Sequence, residues 1–287
     1  MPVGYARRER DQAEGLALAA AADWLEDALD TAGTLEAWAR GAGLVPEDSS
    51  TAVSDADSDA DADSDADSDA ATEAATHGRA TQGRGELHVV RAAVVGPDRR
   101  ERWAVRHYRR GGAVASYLGD RYLAVGATRP EVEIRASVEA RAHGVRTPAV
   151  VAGAWYRAGP FYRADLVTEL VPGATTLADA LFSAPRGAAA ERSLAAAGRL
   201  ARELGEAGIG HADLNASNVL EGTDSPAAGP WVIDLDRATV QGRTGIEAAR
   251  PMLARLERSL RKFGATSGRP LSGAEWAALR AGFEEGA

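Results

Sequence analysis

Cysteine is absent from the 287 residues, which excludes disulfides and thiolate metal sites and fits a reducing compartment. Lysine is nearly absent. Of 33 basic residues one is Lys262, so 32 are arginine. A phosphate loop ending in Gly-Lys-Ser/Thr is therefore excluded. No run of 18 apolar residues occurs, so no membrane span is expected. "LALAAAA" at 16–22 is a poor secretory leader, because Asp11 and Glu14 precede it where basic residues would stand. Five scattered histidines and no cysteine argue against zinc. The expected location is cytoplasmic.

What is present divides the chain. Residues 11–43 read as helical, with Trp24, Leu25, Ala28 and Leu29 on one face and Leu35, Trp38 and Ala39 repeating the pattern. Residues 54–70 carry Asp at every odd position from Asp55 to Asp69, eight carboxylates with nothing large to bury. Like-charge repulsion predicts a disordered linker there, one that supplies most of the net charge of −9. Calcium binding by the tract would need turn glycines and a bulkier apolar repeat. Beyond it, 85–96 and 101–110 read as antiparallel strands around the turn "GPDRR", and 131–144 as a helix stopped by Gly144. Residues 149–159 and 161–171 form a second hairpin, 175–208 a helical stretch, 231–240 a short buried strand and 251–264 an amphipathic helix. A β-rich half precedes an α-rich half. The expected organisation is an N-terminal helical region over 1–53, a linker over 54–78, a β-rich lobe over 79–170 and an α-rich lobe over 171–287.

The densest chemistry lies in "HADLNASNVL", 211–220. Five polar side chains in eight positions suit a loop that handles phosphate and metal. Asp213 and Asn218 stand five apart, and Asp234 follows in "VIDLD" at the end of a strand. Phosphoryl transfer asks for such a set: a carboxylate to take the proton of the attacking hydroxyl, and hard oxygen donors to hold Mg²⁺.

The stretch resembles the protein-kinase catalytic loop H-x-D-L-x-x-x-N followed by its D-x-[GD] metal motif. The resemblance implies an α+β, bilobal protein-kinase-like fold with a β-rich N-lobe and an α-rich C-lobe. It implies Asp213 as catalytic base, Asn218 and Asp234 as metal ligands, and His211 as a brace for the loop. Asn215 stands where protein kinases carry lysine, which points to a non-protein acceptor. ATP would be held by Gly83 and Gly85 before the first strand, by Arg106 in the usual lysine position of "WAVRHY", by its partner Glu133, and by a hinge around Glu169 and Leu170. The bland readings are a plain turn for the glycines and a solvated helix carboxylate for Glu133.

The resemblance narrows further. "VRHYRRGG" (105–112), "DRYL" (120–123), 159–181, the catalytic loop and "WVIDLDR" (231–237) are similar to the 3-deoxy-D-manno-octulosonic acid (Kdo) kinases of lipopolysaccharide assembly, over about residues 80–262. That implies ATP- and Mg²⁺-dependent phosphorylation of the Kdo 4-hydroxyl on a Kdo–lipid A precursor, an anionic glycolipid. It also implies peripheral contact with the cytoplasmic face of the inner membrane and no nucleic-acid partner. Seven arginines between 99 and 121, against Glu101 and Asp120, suit anionic partners; a solvated basic surface is the plainer reading. A heptose kinase of the same pathway, an aminoglycoside- or choline-kinase-like enzyme, and a nucleotide-binding pseudokinase stay open. Arg106 in the lysine position is the only support for the last.

Overall fold

The computed structural model describes residues 1–42, 87–109, 119–183, 187–222, 229–240 and 242–285. The Asp tract, the expected linker over 54–78, Gly83 and Gly85 lie outside them.

The chain opens with two strands, β1 (Tyr5–Arg10) and β2 (Ala13–Leu18), paired antiparallel. Helices α1 (Ala22–Ala32) and α2 (Leu35–Gly41) follow. The expectation of helix over 11–43 therefore fails for its first third. The helix-forming residues of "AEGLAL" are overridden by pairing on both edges, with β1 and with β6 (Val150–Ala158). Gly15 permits the close packing, because a Cβ there would meet Leu25 Cδ2 at 2.9 Å and the Gly153 carbonyl at 3.0 Å. The stretch expected as a separate helical region thus contributes two strands to the main sheet.

The helices bury the predicted residues Leu25, Ala28, Leu29, Leu35 and Ala39. Thr34 caps α2 by accepting from the Ala37 amide at 3.1 Å. Trp24 meets Trp38 and Trp103 edge to face, with centroids 4.9 and 4.7 Å apart, and seals the helix pair onto one face of the sheet.

The sheet continues with β3 (Leu87–Arg91), β4 (Arg102–His107) and a short β5 (Tyr122–Leu123). Helix α3 (Arg129–Ala142) precedes β6, and β7 (Phe161–Glu169) follows it. Strand order is β1-β2-β6-β7-β4-β3, all antiparallel, with β5 beside the start of β7. Thr128 begins α3 with a capping box to Glu131, and Gly144 (φ 80°) turns the chain away just beyond it. Ile134 of α3 enters the core of the sheet, while Ala136 and Ala140 enter the helical core of the second lobe. One helix therefore reports to both lobes.

The second lobe holds β8 (Thr175–Thr176), α4 (Leu177–Phe182), α5 (Ala188–Glu206), β9 (Val219–Glu221), β10 (Trp231–Val232), α6 (Ile246–Thr266) and α7 (Gly273–Glu285). The expected strand over 231–240 shrinks to two residues, because the backbone turns at Asp234 (φ 65°). The stretch 175–208 is a strand fragment and two helices. Helices α5 and α7 touch through glycine: a Cβ on Gly198 would lie 2.1 Å from the Leu279 carbonyl. Leu194, Leu200, Leu256, Leu260 and Phe283 fill the core between them.

Candidate active site

Strand alternation aims Arg106 and His107 to opposite faces of β4. Arg106 points toward α3. Its guanidinium donates to Glu133 at 2.5 and 2.6 Å and to Asp234 at 3.0 Å. Glu133 also accepts from the Tyr108 hydroxyl at 2.5 Å. The arginine in the lysine position thus makes the expected pairing with Glu133 and reaches the expected metal carboxylate as well. Glu133 is buried rather than a solvated helix carboxylate. Burial pushes its carboxyl up to about 7, against the pull of Arg106 and with a push from Asp234.

A chain of hydrogen bonds joins the catalytic-loop residues to the Asp234 segment. His211 Nδ1 accepts from the Asp213 amide at 3.1 Å, so Nε2 carries the proton and donates to the Ile233 carbonyl at 3.1 Å. Burial lowers the His211 pKa and favours that neutral ring. The Ile233 amide returns a bond to the Asn218 carbonyl at 3.0 Å. Asn218 Nδ2 donates to the Asp213 carbonyl at 3.0 Å. His211 therefore has the bracing geometry expected of it.

Asn215 has a structural duty that its identity alone did not reveal. Its Oδ1 accepts from the Ser217 and Asn218 amides at 2.8 and 3.1 Å, folding the loop as an Asx turn.

The donor set suits a hard cation. With Asn218 Nδ2 committed, its Oδ1 is the amide atom left to meet a metal, and Asp234 adds carboxylate oxygens. Asp234 sits in the left-handed region at φ 65°, a conformation Asp tolerates better than most residues. Burial opposes its ionisation, but Arg106, His211 and Arg129 together hold its pKa below the ordinary value.

The sequence reading missed two residues here. Asp236, the second Asp of "VIDLD", is buried and ion-paired with Arg129, the first residue of α3. Burial, then the charge of Asp234, pushes Asp236 up to about 6, while Arg129 pulls it down. Arg129 lies over the Tyr122 ring at 4.5 Å. Arg129 and Glu133 stand four apart on one helix face; Arg129 binds Asp236 directly, and Glu133 reaches Asp234 through Arg106. The doubled Asp was the available signal for the first; none marked Arg129.

Other expected residues take different places. The Glu169 carboxylate accepts from the Asp98 and Arg100 amides at 2.8 and 3.1 Å and holds the β3–β4 connection. The Glu169 and Leu170 amides donate to the Ala149 and Arg102 carbonyls at 2.9 and 3.0 Å. Neither amide is therefore open to a base, and a hinge readout at these two residues is left with their carbonyls. The seven arginines do not form one patch. Arg106 faces α3, Arg109 lies 3.9 Å from Glu36 of α2, and Arg110 lies outside the described residues.

Behind the sheet, His107 sits between Asp165 (2.6 Å) and Asp120 (3.0 Å), with Glu36 at 3.8 Å. Asp165 further accepts from Tyr156 and from the Glu36 amide at 2.7 and 2.9 Å. Burial works against protonation of His107, yet the bonds to Asp165 and Asp120 raise its pKa. The 2.6 Å contact is a hydrogen bond, too short for two ligands around one metal.

An antiparallel sheet joined through one helix to a helical lobe, with the Arg–Glu pair and the loop carboxylates between them, is a bilobal protein-kinase-like fold. The lipopolysaccharide kinase (Kdo/WaaP) family profile matches residues 76–283, and the chain belongs to that family. Three relatives named 3-deoxy-D-manno-octulosonic acid kinase are similar. That of Stenotrophomonas maltophilia (strain R551-3) is 40% identical over 139 residues, 48% of this chain and 53% of its own. That of Xanthomonas campestris pv. campestris (strain B100) is 40% identical over 163 residues, 55% and 61%. That of Photobacterium profundum is 32% identical over 207 residues, 71% and 82%. The match to the first two spans between half and two thirds of their length. A solved structure titled "WaaP in complex with acyl carrier protein" is 22% identical with a TM-score of 0.46, covering 72% of this chain and 80% of that one.

Proposed function

We propose that this protein transfers the γ-phosphoryl group of ATP to the 4-hydroxyl of Kdo on a Kdo–lipid A precursor, working peripherally at the cytoplasmic face of the inner membrane. The observation that carries the kinase reading is Arg106 spanning Glu133 and Asp234, beside a loop whose bonds join Asp213, Asn218 and the Asp234 segment. The names of the relatives support the acceptor. The lobes are divided after residue 170.

In this reading Asp213 accepts the proton of the sugar hydroxyl as it attacks. Asn218 and Asp234 would hold Mg²⁺, which when bound neutralises charge on the phosphates. Glu133 keeps Arg106 extended, so its fork can donate to phosphate oxygens in two directions. His211 keeps Asp213 in place by anchoring its amide to the Ile233 segment.

The test is ATP-dependent labelling of Kdo–lipid A precursor by purified protein, beside Asp213→Ala, a heptosylated acceptor and a panel of aminoglycosides. Label on the Kdo precursor, lost in the variant, is expected. Label on a different acceptor alone would refute the substrate. Bound nucleotide with no label on any acceptor would make the protein a binding module.

A further inference from the structure

Between β5 and α3 the chain runs Leu123-Ala124-Val125-Gly126-Ala127, and all five residues are exposed. Leu123 is 56% and Val125 81% accessible. Three or more consecutive exposed apolar residues are rare in a soluble fold without a function. Among the described residues, the other large exposed apolar side chains are Met1 and Val3 at the chain start and Val95 alone.

The run is a built protrusion. Its base is pinned by buried Tyr122, by the Ala124 amide donating to the Pro160 carbonyl at 2.9 Å, and by the buried Thr128 capping box. Gly126 at φ 75° gives the tip its turn.

Its flanks are cationic. Arg121 is exposed just ahead of Tyr122, and Arg163 is 52% exposed on the neighbouring β7. Asp120 lies 3.7 Å from Arg163, and Glu131 is held by the Thr128 capping box. The tip is also close along the chain to the candidate site. Val125 is four residues from Arg129, a reach of at most about 14 Å, and Arg129 touches Asp236 in the metal loop.

We propose that the Leu123–Ala127 loop seats the protein on an anionic lipid surface, its apolar tip entering the headgroup region between Arg121 and Arg163. The inference rests on the glycolipid reading above and deepens it. A lipid-anchored acceptor must present its sugar to Asp213 while its acyl chains stay in the bilayer, and a lipid contact within that reach of Arg129 serves both.

The test is sedimentation of the full chain with vesicles, read without ATP or Kdo, so its outcome is independent of the kinase assignment. Vesicles of phosphatidylethanolamine with phosphatidylglycerol are compared with phosphatidylcholine alone. The double variant Leu123→Ser/Val125→Ser should bind the anionic vesicles about tenfold or more weakly at an unchanged melting temperature. Arg121→Gln should cost about fivefold. Val95→Ser is the control for any exposed apolar residue and should bind as the parent does. Unchanged binding by the double variant, an equal loss with Val95→Ser, or equal binding of the parent to phosphatidylcholine would each overturn the proposal.

Discussion

Replacing Arg129 by glutamine leaves Asp236 as a buried carboxylate that has lost its ion-pair partner and still feels the charge of Asp234, with Arg106 as the other cation that lowers its pKa. Asp236 is 7% exposed, and even with Arg129 present its carboxyl stands at about 6. Removing one partner of a buried ion pair costs about 3–5 kcal/mol. The Arg129 side chain is 31% exposed, so solvent screens part of that, and about 2–3 kcal/mol is the reasoned cost. For a chain of this size each kcal/mol shifts the melting temperature by roughly 2–4 °C, so Arg129→Gln should melt about 4–12 °C lower. Asp236→Asn in the same background removes the stranded charge and should restore at least half of the loss. Scanning calorimetry of the parent, single and double variants at pH 7.5 reads the series. Titration with nucleotide and Mg²⁺ reads whether Asp234 stays in place. A single variant within 2 °C of the parent, or a double variant no more stable than the single, would refute the reasoning.

Three further outcomes follow from the same geometry. Asp234→Asn should abolish Mg²⁺-dependent nucleotide binding, measured by titration calorimetry; undiminished binding would remove it from the metal site. Glu133→Gln should lower turnover about 10²-fold through misplacement of Arg106. Its stability should also change differently with pH. The raised carboxyl of Glu133 makes its ionisation a burden on the fold, growing as pH rises from 4.5 to about 7, and the variant should lack that decline. His107 behaves oppositely. Its raised pKa gives stability that is complete below 6.5 and is lost as pH rises through the folded value. The thermal advantage of the parent over His107→Gln should therefore shrink between pH 6 and 9, and a constant difference would contradict the ion pairs.

The fold class was legible because the 211–220 stretch and Asp234 carry few residue types at a fixed spacing that resembles the protein kinases. Asp213, Asn218, Asp234 and Arg106 are named as candidates from that resemblance. The structure brings Arg106 to Glu133 and Asp234, and it ties Asn218 to the Asp213 backbone. Arg129 and Asp236 were not legible, because their pairing spans 107 residues and nothing local marks an arginine as the partner of a distant carboxylate. The strand at 13–18 was misread for a related reason. Its residues favour helix, and the neighbour that decides otherwise, β6, begins over a hundred positions later. Glu169 sat in the expected hinge position, but its carboxylate and amide serve the β3–β4 connection and the sheet.

That late neighbour has a consequence for synthesis. From Leu18 to Val150 is 132 residues. At about 5–20 residues per second the β1–β2 hairpin leaves the ribosome and waits roughly 7–26 s for the strand that flanks it. A lone two-stranded hairpin is marginal in water, so β2 spends that interval with an open hydrogen-bonding edge. The β1–β2 pair is sealed only once β6 is available. Codon tempo and chaperone supply during that window should therefore govern how much of the nascent chain reaches the native sheet.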